Sequence, residues 1–287
     1  MRGTHTTRDR QHPKAFTLVE LLIVIGIIAL LVGILMPAIS GAMDMARRTQ
    51  TAAMLKVLET GLEQYRAEPD LGREFPPSHD TRADGSSYLP VRDYTPGDYN
   101  RAYGANLLVW GLCGVTARMD GTVGFPETGT IESICPTAID GVWPARYGPF
   151  VTTGGLRIGV PERGFYTNSS GNSLIGDDPF WTILDPWGNV ILYYRANPTA
   201  LPVDVFNYSD NAPFTTRVSM ENDYIDTIHD VDNFRRYTHD YRVPGDPIDP
   251  AVYAPQNRDS FLLISAGPDG RYGTADDVTN FEHTEPR

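Results

Sequence analysis

An apolar run near the N-terminus constrains the fold of this 287-residue chain more than any other feature. From Phe16 to Met36 every residue is apolar except Thr17 and Glu20, which gives about 21 residues, or roughly 31 Å of helix. This length is sufficient to cross a bilayer. The segment before it carries four basic side chains and one acidic side chain. The positive-inside rule therefore predicts a cytoplasmic N-terminus and export of everything after the helix.

Two ordinary interpretations of this run leave features unexplained. A secretory signal peptide has an uncharged apolar region of about 7 to 15 residues, whereas this run is longer and contains Glu20. Residues 38–40, Ala-Ile-Ser, only loosely resemble a small-residue cleavage site. A plain membrane anchor explains the length, but an acidic group inside lipid costs on the order of a few kcal/mol. In a plain anchor Glu20 would have no role.

A third interpretation accounts for both the length and the acidic residue. Residues 14–20, Lys-Ala-Phe-Thr-Leu-Val-Glu, resemble the prepilin cleavage and methylation motif of type IV pilins and type II secretion pseudopilins. The resemblance implies that prepilin peptidase cuts between Ala15 and Phe16 and that the new amine of Phe16 is methylated. Glu20 would then pair with this amine on a neighbouring subunit during assembly. The family usually has Gly before the cut, so Ala15 predicts slower processing.

The helix is expected to continue beyond the bilayer. Pro37 lies where many pilin helices carry a kink-forming proline, and proline removes one backbone hydrogen bond. The alternative is that Pro37 simply ends the membrane helix. Apolar residues recur further on at spacings of three and four, which favours an amphipathic helix over about 43–67 that Pro69 stops. Its apolar stripe consists of Met54, Leu55, Leu58, Leu62 and Tyr65.

Short strands and one short helix are predicted in the remainder. The helix is expected over 103–115, and three runs rich in Ile, Leu, Tyr and Phe favour strands over 180–184, 190–194 and 261–265. Residues 185–189, Asp-Pro-Trp-Gly-Asn, favour a hairpin turn between the first two strands. This stretch also resembles one in the major type II secretion pseudopilin.

The expected fold class is α+β, with a long N-terminal helix, part transmembrane and part amphipathic, packed on a small antiparallel β-sheet. Large loop-rich insertions at 69–178 and 200–259 make the chain about twice as long as the major pseudopilin. The predicted domains are a cytoplasmic leader peptide (1–15), a transmembrane helix (16–36), an amphipathic continuation (37–68) and an exported globular domain (69–287).

A glycine-rich segment near the C-terminus carries three aspartates. Calcium takes six to eight oxygen ligands in a tolerant geometry, which such a loop supplies from carboxylates and carbonyls. The spacing is not that of an EF-hand. Residues 265–278 resemble the calcium loop of the major pseudopilin. The resemblance implies that calcium is bound by side chains of Asp269, Asp276 and Asp277 and by carbonyls of Ala266 and Thr274. The alternative is a solvated turn with capping aspartates.

Charge and cysteine content exclude some classes of partner. The net charge is −12, and because residues 1–66 carry +3, the remainder carries −15. This acidic body argues against nucleic acid as a partner. The two cysteines, Cys113 and Cys135, cannot form a zinc site alone. They form either a disulfide or two buried thiols.

The sequence therefore predicts a structural subunit rather than an enzyme. His229 and His239 each precede an aspartate but show no convergent spacing, so solvated loop histidines are expected. The resemblance implies a single-pass inner-membrane protein whose C-terminal domain is periplasmic or extracellular. Implied partners are further copies in a homo-oligomeric filament, other pseudopilins, prepilin peptidase and the inner-membrane assembly platform. The alternative function is a membrane-tethered extracytoplasmic binding module.

Overall fold

The computed structural model of the chain describes residues 18–71, 73–79, 103–113, 115–116, 146–161, 166, 170, 181–219, 221 and 223–283. Its α-helices are α1 (Leu18–Ala67), α2 (Gly104–Cys113), α3 (Ala212–Thr215) and α4 (Val231–Thr238). Its strands are β1 (Val115–Thr116), β2 (Arg146–Tyr147), β3 (Arg157–Gly159), β4 (Thr182–Leu184), β5 (Leu192–Arg195), β6 (Phe261–Ser265) and β7 (Val278–Thr279). The chain divides into two compact units, 1–46 and 47–287.

Within the first unit, the structure describes the N-terminal part of α1. Large apolar side chains are exposed along this part, from Leu18 (79% exposed) to Met45 (72% exposed). The helix is long and apolar enough to cross a membrane. The apolar surface of this unit therefore has the character of a lipid-facing or helix-facing segment.

In the second unit, the last part of α1 packs on the sheet through one apolar stripe. Leu55, Leu58 and Leu62 are buried at spacings of three and four residues, and Met54 packs against the same cluster. The cluster also contains Leu108 and Leu112 of α2 and the sheet residues Tyr193 and Leu263. The predicted amphipathic helix and the predicted short helix are both confirmed. The structure thus has the α+β class expected from the sequence.

The central sheet is antiparallel in the order β5-β6-β7, with Leu192 opposite Ile264. β4 pairs instead with β3 in a separate two-stranded sheet. The turn expected at 185–189 is present, closed by the Asp185 amide on the Asn189 carbonyl at 2.8 Å. The hairpin prediction is partly right. The end of β4 pairs across the turn with the residues just before β5, through the bridge between Leu184 and Val190 and the Ile191 amide, which donates to the Ile183 carbonyl at 2.9 Å.

A second apolar cluster lies on the other face of β5 and β6. It contains Tyr194 and Ile264 from the sheet together with Phe234 and Tyr237 from α4. α4 begins at an Asp230 side chain that accepts a hydrogen bond from the Asn233 amide at 2.8 Å. Part of the predicted 200–259 insertion therefore belongs to the main core.

Candidate functional site

The N-terminal site is represented in the structure by Glu20. This residue lies in the first turn of α1, and its side chain is exposed on the apolar surface described above. Ala15 and Phe16 lie outside the described residues, so cleavage and methylation there stay predictions. A carboxylate on such a surface is costly in lipid unless a cation neutralises it.

α1 continues through Pro37 and ends at Ala67. The alternative in which this proline ends the membrane helix is therefore wrong. The Ser40 hydroxyl donates to the Met36 carbonyl at 3.1 Å, a contact that often accompanies helix bending. The kink itself stays a prediction.

The acidic loop comprises residues 266–277 and joins β6 to β7. Three glycines with positive φ shape it, at +64°, +68° and +87°: Gly267, Gly270 and Gly273. A Cβ on Gly267 would lie 2.3 Å from the Asp276 carbonyl oxygen, and a Cβ on Gly273 would lie 2.0 Å from Thr227 Oγ1. The loop therefore needs glycine both to turn and to allow close backbone approach.

The three predicted carboxylates converge on one hydroxyl. Thr274 Oγ1 lies 2.6 Å from Asp276 Oδ1, 3.2 Å from Asp269 Oδ2 and 3.4 Å from Asp277 Oδ1. The Asp269 amide also donates to Asp276 Oδ2 at 3.1 Å. The structure thus brings together side chains that lie up to eight positions apart in the sequence.

The loop carries the type of oxygen ligand that calcium prefers, but its carboxylates are engaged in hydrogen bonds. Three carboxylates and nearby carbonyls match calcium's preference for oxygen, and the Thr274 carbonyl lies 3.4 Å from the Asp277 amide. Ala266 is fully buried. Within the described part of the chain, no group of three His, Cys, Asp or Glu side chains is placed to hold an ion. Binding calcium would therefore require the carboxylates to turn away from the Thr274 hydroxyl.

Burial, neighbouring charges and hydrogen bonds shift the pKa values of the three aspartates in different directions. Burial raises the pKa of Asp277 to about 8, although the Tyr237 hydroxyl and Gly273 amide donate to its Oδ2 at 2.5 and 2.7 Å. Partial desolvation and then the charge of Asp276 raise the pKa of Asp269. Hydrogen bonds from Thr274 and the Asp269 amide outweigh partial burial and lower the pKa of Asp276.

One arginine from α1 provides a positive charge at the loop. Arg48 Nη1 donates to the Asp276 carbonyl at 3.1 Å, and its Nη2 lies 3.9 Å from Asp276 Oδ2. The Arg48 side chain is 41% exposed, so solvent weakens this attraction. The loop therefore contacts α1, but through a weak ion pair.

The turn at 185–189 anchors the start of the acidic loop. Asp185 Oδ1 accepts from the amides of Trp187 and Asn189 at 2.9 and 2.8 Å, and Oδ2 accepts from the Ser265 hydroxyl at 2.7 Å. The Asn189 side chain donates to the Gly267 carbonyl at 2.9 Å. Burial raises the pKa of Asp185. The turn at 185–189 and the acidic loop are therefore joined directly.

Two residues in contact with the acidic loop were not identified from the sequence. They form a buried ion pair, Arg217 with Asp226. The two residues are nine positions apart and belong to no sequence motif.

The prediction that His239 is solvated is wrong. It is buried, its Nδ1 accepts from the Ala254 amide at 3.1 Å, and its Nε2 lies 2.9 Å from the Val243 carbonyl.

The disulfide prediction falls on residues that the structure does not place. Cys113 ends α2, but its side chain is outside the described residues, and so is all of Cys135. The pairing therefore stays a prediction.

Residues 10–36 match the family model described as the prokaryotic N-terminal methylation motif. The match contains the predicted cleavage position, Glu20 and the whole apolar run. No curated protein and no solved structure matches the chain. The motif supports a type IV pilin-like or pseudopilin class, processed by prepilin peptidase. Among the described residues, α1 is the one helix long and apolar enough to anchor such a subunit in a membrane.

Proposed function

We propose that the chain is a structural subunit of a type II secretion pseudopilus or a type IV pilus-like filament. The observation that carries the proposal is Glu20, a carboxylate on an exposed apolar helix inside the methylation motif. Cleavage between Ala15 and Phe16 would create a cationic amine four positions before it. Packing of α1 against α1 of neighbouring subunits would cover the apolar surface.

The ion pair between subunits gives the assembly its register. Either charge alone is costly in a low-dielectric environment, whereas the pair of Glu20 with the Phe16 amine of the next subunit is much less so. A subunit shifted along the bundle would leave both charges unpaired. Prepilin peptidase, the inner-membrane assembly platform and other pseudopilins are the partners that this function requires.

A substitution at Glu20 tests the proposal. Glu20→Ala should insert into the membrane and be processed, but it should not form filaments. The matched control is Glu63→Ala, which removes an exposed carboxylate from the same helix outside the apolar run. Membrane fractionation measures insertion, and sedimentation with electron microscopy of sheared material measures assembly.

The outcomes separate a filament subunit from a tethered binding module. If Glu20→Ala assembles like the wild type, the carboxylate has no role in assembly, and the alternative function, a tethered binding module, is favoured. Intact mass provides an independent check on processing. The mature chain should begin at Phe16 and carry one additional methyl group, and a chain that begins at Met1 would refute processing.

We also infer that the acidic loop binds calcium. The convergence of Asp269, Asp276 and Asp277 on one hydroxyl supports this proposal, as does the net negative charge of the exported part. Carbonyls of Ala266 and Thr274 would add two further oxygen ligands. Bound calcium would fix the short β7, which has only two residues of its own.

Thermal unfolding with and without calcium tests this second proposal. At a calcium concentration one hundred times Kd, binding adds about 2.7 kcal/mol to the free energy of unfolding. The Tm should rise with calcium, fall with EGTA and respond less to magnesium. An Asp276→Asn/Asp277→Asn variant should lose the response, whereas an Asp246→Asn/Asp249→Asn control should keep it. A wild type whose Tm ignores calcium would exclude the site.

A further inference from the structure

The middle of the acidic loop is held by an inserted segment that precedes it by about 50 residues. This segment, here called the clasp, consists of residues 223–228 together with Arg217. The Thr227 amide donates to the Tyr272 carbonyl at 3.0 Å, and the Thr227 hydroxyl donates to the Gly273 carbonyl at 2.6 Å. From the loop side, Arg271 Nε donates to the Ile225 carbonyl at 2.8 Å.

A buried ion pair forms the centre of the clasp. Arg217 Nε and Nη2 donate to the two carboxylate oxygens of Asp226 at 2.8 and 2.6 Å, and the Arg217 and Asp226 side chains are 4% and 0% exposed. Each charge also contacts the loop. Arg217 Nη2 donates to the Gly270 carbonyl at 2.7 Å, and the Tyr272 amide donates to Asp226 Oδ1 at 2.9 Å.

Aromatic rings enclose the guanidinium. Its Cζ lies 5.2 Å from the ring centroid of Tyr166 and 5.5 Å from that of Tyr272. Tyr272 is fully buried, and its hydroxyl donates to the Val190 carbonyl at 2.5 Å. Burial alone would lower the pKa of Arg217, but its hydrogen bonds to Asp226 and the charge of that residue raise it above its usual value. The arginine therefore stays charged.

These contacts divide the acidic loop into two parts. Residues 270–273 are bound to the clasp through backbone groups and the buried ion pair. The carboxylates of Asp269 and Asp276 lie outside the clasp and meet at Thr274. The clasp supplies hydrogen-bond partners for Gly270, Tyr272 and Gly273 from its own side chains.

We propose that Arg217 and Asp226 are positioning residues that hold the acidic loop in shape before a cation binds. Only the expected effect on calcium affinity rests on the calcium function proposed above. A loop that is already ordered loses less conformational entropy on binding, so its affinity for the ion is higher. Removing calcium would then loosen the carboxylates and leave residues 270–273 ordered.

Amide hydrogen exchange on the full-length chain in detergent micelles tests the clasp. In EGTA, a peptide covering 270–273 of the wild type should exchange slowly. An Arg217→Met/Asp226→Asn variant removes both charges together, which avoids leaving one buried charge unpaired. Exchange of this peptide should become faster by at least about tenfold, and calcium titrated by calorimetry should bind about tenfold more weakly.

The control is a matched exposed ion pair that does not touch the acidic loop. Arg242 and Glu282 are 2.7 Å apart with side chains 63% and 61% exposed, and Arg242→Met/Glu282→Gln should change neither readout. Amides of β6 report whether each variant retains its core. If the double variant loses β6 protection as well, Thr227→Val replaces it. That variant removes only the hydroxyl bonds to Tyr272 and Gly273 and should accelerate exchange at these residues.

The outcomes distinguish the clasp from the calcium site. Slow exchange of 270–273 in EGTA without any calcium binding would reject the calcium site and support the clasp. Calcium binding with unchanged exchange and affinity in the clasp variants would reject the clasp and support the calcium site. Rapid exchange of 270–273 in wild-type protein until calcium is added would also overturn the clasp.

Discussion

Asp210 should make the stability of the second unit, residues 47–287, fall as the pH rises. It is 5% exposed, its Oδ2 accepts a hydrogen bond from the buried Ser78 hydroxyl, and its Oδ1 is buried with no hydrogen-bond partner among the described residues. Burial raises the pKa of Asp210 from its usual value near 3.8 to about 7, although the hydrogen bond from Ser78 acts in the opposite direction. The folded state therefore favours the protonated form.

The sign and size of the effect follow from this difference in pKa. The folded state holds the proton more tightly, so the stabilisation is complete below about pH 4. It declines steadily as the pH rises and is fully lost above about pH 7. About two pH units separate pH 5 from the folded pKa, and each is worth about 1.4 kcal/mol. The wild type should therefore lose about 3 kcal/mol relative to Asp210→Asn between pH 5 and pH 9.

Urea unfolding of the full-length chain in micelles, followed by tryptophan fluorescence in EGTA, measures this difference. Asp185 and Asp277 also have a raised pKa and act in the same direction. They are present in both proteins, so their effects cancel in the comparison. The exposed Asp204 provides the control variant, Asp204→Asn, which should run parallel to the wild type. A difference between wild type and Asp210→Asn that stays constant from pH 5 to pH 9 would refute the reasoning.

Two further substitutions test the packing. Gly273→Ala should lower the Tm, because the residue has φ +87° and a Cβ would lie 2.0 Å from Thr227 Oγ1, whereas Gly154→Ala meets no atom within 4 Å and should not. Leu62→Ala should cost about 2 to 5 kcal/mol of unfolding free energy, because its side chain is fully buried between α1 and the sheet. Val57→Ala, on the exposed side of the same helix, should cost under about 1 kcal/mol, and equal losses in both variants would contradict the assigned stripe.

The parts of the fold that were predicted correctly depend on local patterns. The apolar stripe of Leu55, Leu58 and Leu62 identified the end of α1, and a run of β-favouring residues located β6. The turn at 185–189 was recognised from its residues, but β4 pairs with β3 and not with β5. Strand partners are chosen by packing between distant segments, which local turn chemistry does not determine.

In the candidate site too, local patterns were recognised from the sequence and contacts between distant segments were not. Glycines and aspartates close together in sequence identified the acidic loop, since one segment supplies both its turns and its carboxylates. Arg217 lies 53 positions before its loop contact, Gly270, and nothing in its neighbourhood indicates the partner. His239 was assigned to a solvated loop because its spacing suggested no partner, whereas its two ring nitrogens contact backbone groups in the interior.

The insertion around 200–259 bears on the choice between a filament subunit and a binding module. A module added to a pilin-like body would be expected to keep its own core. Here Phe234 and Tyr237 of α4 pack with Tyr194 of the central sheet, and Tyr237 also donates to Asp277 of the acidic loop. This described part of the predicted insertion is therefore built into the core and bonded to the acidic loop. The arrangement favours the subunit, because these buried side chains stabilise the fold and are not available to bind a ligand.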